Sequence, residues 1–401
     1  MSFYALILAG GVGTRLWPMS RKERPKYLLD PLGSGSSLLQ QAVARVEPLA
    51  DSVWVMTSAA TVAAVARQVP QAHVIAEPSA RGTMPPLAAC AALIASMDHD
   101  AVIGSFAADH VVRDEDAFVR AVSTAVQAAG DGSLVTIGIT PTGPSSAFGY
   151  IKVALSANAR RQLLSLDQSG SSAYPVQAFV EKPDAARAAA YMASGQYVWN
   201  AGIFVARADA LLRHIHDLVP DLDPLTLKLG AQLSERMPRP GRGSRSMPLP
   251  GAAGVEAFSS PDIRRMWDAL EPSVIDIALA EPLAEQGMVK TVPVSMGWSD
   301  VGDWAAVTAL YAAAHGTDSG TYQHRTDPGE VHDDDSAAPV FRQNAEGTFV
   351  LGSHKPIAVV GIHDAAIVDM DDVLLVVSTK DAQQVKDIIR DVDRAGRSDL
   401  L

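Results

Sequence analysis

Over roughly the first 300 residues, short β-rich runs alternate with alanine-rich helical stretches, and this alternation is the strongest constraint on the fold. Tyr4 to Ala9, a short apolar run, reads as a buried strand, Val53 to Thr57, Val102 to Phe106 and Leu134 to Ile139 as further strands, and His73 to Ala76 as extended. Helices are expected over Ser37 to Val46, Ala59 to Gln68, Pro85 to Met97 and Glu115 to Ala129. Strands spaced by helices of about ten to fifteen residues predict a mostly parallel α/β sheet with right-handed crossovers. In such sheets the ligand sits beyond the carboxyl ends of the strands, so Gly10 and Asp109, each just past a strand, fall where a site is expected.

From Gly149 the pattern shifts to strands with polar connections: Tyr150 to Ala154, Val176 to Val180 and Gly202 to Ala206. The Pro-, Gly-, Ser- and Arg-rich stretch 236–251 has no periodicity and is expected to be a loop. Helical character resumes over Pro261 to Gln286. A break at Thr317 to Ala338, carrying His332 and Asp333 to Asp335, reads as a solvated acidic loop. Beyond it, Thr348 to Leu351, Ile357 to Val360, Ala366 to Val368 and Val373 to Val377 are short, evenly spaced strands, followed by a helix over Asp381 to Val392. That spacing predicts a small β-rich module of solenoid or barrel type. The expected division is a larger domain over 1–316 and a smaller C-terminal domain over 339–401.

At 401 residues the chain is long enough for a large domain and a smaller one. Its net charge of −12 argues against general affinity for nucleic acid or anionic membrane, yet leaves room for a local cationic pocket. Cys90 is the sole cysteine, which excludes an internal disulfide and a cysteine-based zinc site; in its alanine-rich setting it reads as a packed thiol. Neither a signal peptide nor a membrane-spanning run is evident, and a cytoplasmic protein is expected.

The residues most suggestive of chemistry follow the first strand: Leu8-Ala9-Gly10-Gly11-Val12-Gly13-Thr14-Arg15-Leu16-Trp17-Pro18-Met19-Ser20. Glycines at Gly10, Gly11 and Gly13 let backbone N–H groups approach an anion closely. Arg15, Arg21, Arg24 and Lys26 add four cations, which together resemble a polyphosphate clamp. No Gly-Lys-Ser/Thr follows, so this is not a Walker loop, and Leu16 replaces the third glycine of a dinucleotide fingerprint.

This string, continued through Arg24-Pro25-Lys26-Tyr27-Leu28, resembles the signature of sugar-1-phosphate nucleotidylyltransferases. Within them, Trp17-Pro18-Met19-Ser20-Arg21 is most similar to the mannose-1-phosphate guanylyltransferases. Further matching segments are Glu77-Pro78, Ala108-Asp109-His110, Phe148 to Ile151, Phe179 to Pro183, Asn200 to Phe204 and Gly297 to Gly302. The resemblance implies a Rossmann-like nucleotide-diphospho-sugar transferase fold with a β-solenoid-like C-terminal module. It also implies synthesis of GDP-mannose from GTP and mannose 1-phosphate, with Mg²⁺ or another divalent cation as cofactor; the alternatives are another sugar 1-phosphate or triphosphate on the same fold, or a catalytically silent subunit that binds sugar nucleotides. A homodimer is compatible with it, and the sequence alone is silent on assembly.

By resemblance, Asp109 and Asp300 are the metal ligands; Mg²⁺ takes oxygen ligands and needs only one or two carboxylates beside phosphates and water. Leu8, Ala9, Gly10, Gly11, Gly13, Thr14, Arg15, Glu77, Arg81, Gly82, Thr83 and Asp109 are expected around the nucleotide. Gly149, Tyr150, Glu181, Lys182, Asn200 and Asp276 are expected around the sugar phosphate. Arg15 and Lys26 would stabilise the triphosphate and the leaving pyrophosphate, and Lys182 the incoming phosphate. The family commonly has Arg-Asn-Thr where this chain reads Arg81-Gly82-Thr83, a departure that bears on nucleotide preference. A chain ending at Leu401 without a His and Glu cluster is not expected to carry phosphomannose isomerase activity.

Overall fold

Nine strands form one mixed sheet in a computed structural model that describes residues 1–11, 13–154, 170–236, 258, 260–315, 320–323, 339–352 and 355–401. They are β1 (Phe3–Ala9), β2 (Ser52–Ser58), β3 (His73–Glu77), β4 (Val102–Ala107), β5 (Leu134–Ile139), β6 (Tyr150–Val153), β7 (Tyr174–Val180), β8 (Tyr197–Arg207) and β9 (Val289–Val294). The order is β3-β2-β1-β4-β8-β5-β9-β7-β6, and β8 also pairs with β6. Strands β3, β2, β1 and β4 run parallel, as does β5 with β9. β8 enters antiparallel between β4 and β5, and β7 pairs antiparallel with β6 and β9. The expectation of a mostly parallel sheet therefore describes the β3-to-β4 half. Gly202 to Ala206, expected as a strand, lies in β8, but strand direction is not encoded in apolar runs, so its antiparallel insertion between β4 and β5 is not legible from the pattern.

Chain contacts divide the protein into two compact units. The first comprises Met1–Gly10, Val43–Ala107 and Val112–Trp298, and holds the nine-stranded sheet. Its core packs Leu6, Trp54, Ile103 and Phe204 of the sheet with Leu87, Leu93 and Ile94 of the helix Met84–Met97. That helix starts with Met84-Pro85-Pro86, where proline's fixed φ and missing N–H suit a first turn. It is buried from Met84 through Ile94, which explains a composition with no polar face.

The second unit comprises Gly11–Ala42, Ala108–Val111 and Ser299–Leu401. It contains β10 (Gly320–Gln323), β11 (Val340–Gln343), β12 (Phe349–Gly352), β13 (Ile357–Val360), β14 (Ala365–Asp369) and β15 (Leu374–Ser378). β10, β12 and β14 run parallel in one sheet, β15 closes it antiparallel, and β11 pairs with β13 in a second, parallel sheet. Successive strands from β10 to β14 thus alternate between two sheets. Phe349, Leu351, Ala366 and Val368 from the first sheet share a core with Leu16, Trp17, Met19, Val301 and Trp304.

Several elements differ from expectation: β10 falls inside the stretch Thr317 to Ala338 expected to be a loop, and β11 precedes the first strand expected in the C-terminal module. The helical stretch expected over Pro261 to Gln286 is broken into a helix at Pro261–Asp268, a π turn at Asp276–Ala280 and a short helix at Glu281–Glu285. Pro272 disfavours helical backbone before it and lacks an N–H, and Ser273 spends its backbone on pairing with Gly82. β9 escapes apolar-run reading because Pro293 interrupts it. The closing helix runs from Val385 to Arg394 after a 3-10 segment at Thr379–Gln384. The expected 236–251 loop, beyond the helix end at Arg236, lies outside the described residues, as do His332 and Asp333 to Asp335. Among the described residues no helix is long and apolar enough to cross a membrane.

Candidate functional site

In the second unit, three of the expected residues converge on one lysine. Lys26 follows the extended Pro25 in a short 3-10 turn and is 6% exposed. Its ammonium meets Asp109 Oδ2 at 2.7 Å and donates to the carbonyl oxygens of Asp300 at 2.6 Å and Val301 at 3.1 Å. Its stem runs under Gly13, where a Cβ would come within 2.5 Å of Lys26 Cβ; with φ at +70°, that position requires glycine. The loop is tied further by Ser20 Oγ, which donates to the Gly13 carbonyl at 2.7 Å. Gly11, Thr14 and Arg15 are exposed on this loop.

Burial alone would raise the Asp109 carboxyl, but the Lys26 ammonium, with His110, holds it below the ordinary carboxylate value. Asp300 goes the other way: burial pushes it up, the charges of Asp109 and Asp303 add to that, and Lys26 only partly opposes them. The pocket of charge is thus richer in carboxylate than in cation. Val301, next in sequence, is a β-branched residue at φ +47°, outside the backbone region such residues favour. It is held by its fully buried side chain and by Ser299 Oγ, which accepts from the Val301 N–H at 3.1 Å.

The first unit carries two further groups. At one, Asn200 on β8 donates through Nδ2 to Asp276 Oδ1 at 2.5 Å, while its Oδ1 accepts from the Gly202 N–H at 3.0 Å. The Asn200 N–H donates to the Gly149 carbonyl at 2.8 Å, so these two expected residues are also adjacent. Burial raises the Asp276 carboxyl, the Asn200 amide opposes this, and Glu181 adds to it. Glu181 pairs with Lys182 at 2.8 Å, and Lys182 stands at φ +42° at the end of β7. Sequence reading missed Glu281: burial raises its carboxyl, and the charges of Glu181 and Asp276 raise it further. Tyr150, expected to line the sugar, is instead fully buried, and its hydroxyl accepts from the Ser145 N–H at 3.1 Å. It supports the chain before Gly149, because it faces inward from β6.

The other group lies past β3. Glu77 ends that strand, is 7% exposed, and is pushed up to about 7 by burial. Among the described residues its Oε2 has no hydrogen-bond partner. Arg81 turns away to Asp268, donating to its carbonyl at 2.9 Å, and Thr83 Oγ1 accepts from the Ile275 N–H at 3.1 Å. Both are thereby committed to protein contacts. Gly82 has φ +83°, and a Cβ there would lie 2.2 Å from the Ser273 carbonyl oxygen. That oxygen accepts from the N–H groups of Thr83 and Met84 at 3.0 and 3.1 Å. The segment Ser273 to Asp276 therefore joins the two groups of this unit, bonding Gly82's neighbours at one end and Asn200 at the other. Leu8 and Ala9 complete β1, and Gly10 is exposed just past it.

Comparison with known proteins decides the family. The nucleotidyl transferase family model matches residues 4–316. The chain belongs to the nucleotidyl transferase family. A second model, described as a MannoseP isomerase/GMP-like beta-helix domain, matches residues 343–392. Xanthan biosynthesis protein XanB of Xanthomonas campestris pv. campestris is 31% identical over 98% of this chain and 74% of its own length. The mannose-1-phosphate guanylyltransferase of Escherichia coli K12 is also 31% identical, with the same coverage. The fold is similar to that of a Thermus thermophilus crystal structure described as a mannose-1-phosphate geranyltransferase. Its TM-score is 0.75 at 24% identity, covering 98% of this chain and 100% of that one. This nucleotidyl transferase thus pairs an α/β sheet with a β-rich C-terminal module, as expected from the sequence.

A divalent cation fits the charge and donor chemistry of the Lys26 group. Asp109 and Asp300 offer hard oxygen ligands beside a single lysine, and burial, with the charges of Asp109 and Asp303, raises the Asp300 carboxyl. Among the described residues no group of three or more His, Cys, Asp or Glu is arranged to hold a metal.

Proposed function

We propose that this nucleotidyl transferase makes GDP-mannose and pyrophosphate from GTP and mannose 1-phosphate. The observation that carries the reading is the grouping of Asp109, Asp300 and Gly13 around Lys26, within a chain whose relatives include mannose-1-phosphate guanylyltransferases. The reaction is attack of a sugar-phosphate oxygen on the α-phosphorus of the triphosphate, with pyrophosphate leaving. A phosphate monoester has its second pKa at about 6, so the nucleophile is already anionic at neutral pH and needs no general base. What the protein must supply is neutralisation and in-line placement.

In this reading Arg15 and the backbone of Gly10, Gly11, Gly13 and Thr14 hold the triphosphate and the departing pyrophosphate. Asp109 and Asp300 would hold Mg²⁺ or another divalent cation, which supplies charge neutralisation at the phosphates when bound. Asn200, Asp276 and Glu181 offer an amide and two carboxylates to the sugar hydroxyls, and Lys182 a cation to its phosphate. Glu77 selects the base: a buried carboxylate with an open acceptor oxygen suits the N1–H and N2–H₂ edge of guanine. The backbone conformation at Gly82 supports this assignment over one in which a side chain at that position reads the base.

The two model matches support a catalytic portion over 1–316 and a C-terminal portion over 339–401. The alternating parallel strands β10 to β14 support reading the latter as a short β-solenoid, and the parallel half of the sheet supports a Rossmann-like nucleotide cradle. The lone buried Cys90 is compatible with a cytoplasmic setting. Pyrophosphate release across a panel of nucleoside triphosphates and sugar 1-phosphates tests the function. GTP with mannose 1-phosphate should give the highest kcat/KM; preference for another pair would reassign the substrates, and no release with any pair would leave a binding protein.

A further inference from the structure

A threonine that precedes a helix ordinarily turns its hydroxyl onto the N–H of the second or third helical residue. At the helix Met84–Met97 those two residues are Pro85 and Pro86, which have no N–H, and Thr83 makes no such cap bond. Its Oγ1 accepts instead from the N–H of Ile275, at 3.1 Å and 192 positions away. The donors at this helix start go to the same segment: the N–H groups of Thr83 and Met84 both meet the Ser273 carbonyl. The Ser273 N–H returns to the Arg81 carbonyl at 2.9 Å. Ile275 has a buried side chain, and Asp276 follows it directly. Asp276 accepts from the Asn200 amide and opens the π turn Asp276–Ala280, an irregularity common at functional sites. The Thr83 hydroxyl thus holds the residue next to the one carrying that carboxylate.

We propose that Thr83 is a positioning residue for the sugar phosphate: by holding the Ile275 N–H, its hydroxyl sets where the Asp276 carboxylate stands against Asn200. This rests on the reading of Asn200, Asp276 and Glu181 as the sugar's site. It adds to the nucleotide-side role expected of Thr83, since a hydroxyl that accepts keeps its own hydrogen for a ligand. A change in the segment Arg81-Gly82-Thr83, expected at the nucleotide, therefore weakens use of the other substrate. Misplacing an orienting group by about 1 Å through a remote change costs up to about 100-fold in rate.

The test uses the full chain with Thr83→Val, which keeps nearly the same shape without the acceptor, and Thr83→Ser, which keeps the acceptor. GTP and Mg²⁺ are held at saturation, so that a loss of nucleotide affinity does not register. Under these conditions kcat/KM for mannose 1-phosphate should fall about 10- to 100-fold in Thr83→Val and stay near the wild-type value in Thr83→Ser. An unchanged value in Thr83→Val overturns the inference, and so does an equal loss in Thr83→Ser. Because Thr83 acts through Asp276, its replacement should cost little more once Asp276→Asn is in place, and losses that simply multiply overturn the inference. Should Thr83→Val not fold, hydrogen exchange in the wild type decides. The Ile275 amide should exchange more slowly with GDP-mannose bound than with GDP bound, since only the former fills the sugar site; equal exchange overturns the inference. A wild-type chain that makes no GDP-mannose, or an Asp276→Asn enzyme with unimpaired use of mannose 1-phosphate, fails the functional reading and this inference with it. Full activity in Thr83→Val fails only this inference.

Discussion

The indole N–H of Trp17 donates to the backbone carbonyl of Leu400 at 2.7 Å, a buried bond between residues 383 positions apart. The Trp17 carbonyl in turn accepts from the Trp304 indole at 2.9 Å. Nearby, Arg21 forms a two-bond pair with Asp372 and donates through Nε to the Pro18 carbonyl. The Trp-Pro-Met-Ser-Arg string, similar in sequence to guanylyltransferases, is therefore anchored to the C-terminal part of its own unit. Its role in the structure is to hold the chain that continues from the glycine-rich loop.

Trp17→Phe keeps most of the ring but strands the Leu400 carbonyl in a buried place. Leaving such a group unsatisfied costs roughly 1–3 kcal/mol, so the variant should unfold at lower urea concentration. GTP-dependent pyrophosphate release should persist below the unfolding range. A raised KM for GTP at unchanged stability would instead place Trp17 against the nucleotide.

Gly82→Asn restores the residue common in the family, yet it should harm this chain. Asparagine tolerates left-handed backbone, so the φ of +83° is the smaller obstacle; the larger is a Cβ 2.2 Å from the Ser273 carbonyl oxygen. Either the backbone at Gly82 or the segment from Ser273 must move, at a cost of more than about 2 kcal/mol. Thermal denaturation checks this. A variant as stable as the wild type with improved use of GTP would show that the segment gives way freely.

Burial raises the Glu77 carboxyl from 4.5 to about 7, which makes its effects pH-dependent in a defined direction. Because the folded value exceeds the unfolded one, the buried charge costs stability above about pH 7 and the cost is relieved as pH falls toward about 4.5. Fully expressed, that cost is on the order of 3 kcal/mol. Glu77→Gln should therefore be more stable than the wild type in mild alkali and should lose this component of the pH profile. GTP binding has the opposite sign: donors on guanine favour the carboxylate, so affinity should weaken as pH drops through about 7. Calorimetric titrations of wild type and Glu77→Gln should show that step only in the former, and its presence in both would remove Glu77 from base recognition.

Arg15 is exposed on the loop, so Arg15→Ala should leave the melting temperature unchanged. Turnover should nevertheless fall by about 100- to 1000-fold, the usual scale for removing one preorganised charge-stabilising donor. Near-normal kcat would take Arg15 out of the triphosphate clamp.

Much of the fold was legible where local chemistry and tertiary structure agree. β5 and β13 coincide with their apolar runs, and the helix Met84–Met97 with its alanine-rich stretch and opening prolines. β9 was hidden by Pro293, and the broken segment after Asp268 by an apolar pattern that takes no account of Ser273's long-range pairing with Gly82. In the candidate site, motif residues such as Asp109, Asp300, Asn200 and Asp276 do fall beside other expected residues. Their orientation was not legible. That Arg81 faces Asp268 and that Lys26 meets the Asp300 carbonyl depend on partners far away in sequence, and no local pattern records them. Nor does one record that Tyr150 points inward, since a one-residue change of register would turn it to the other face.

The most direct test of the reaction follows isotope from mannose 1-phosphate labelled with ¹⁸O in its phosphoryl oxygens. The labelled substrate is incubated with GTP, Mg²⁺ and the full chain, and the products are resolved by mass spectrometry. Attack by the sugar phosphate on the α-phosphorus requires all the label to appear in GDP-mannose and none in pyrophosphate. Label in pyrophosphate, or consumption of GTP without labelled GDP-mannose, would contradict the proposed chemistry.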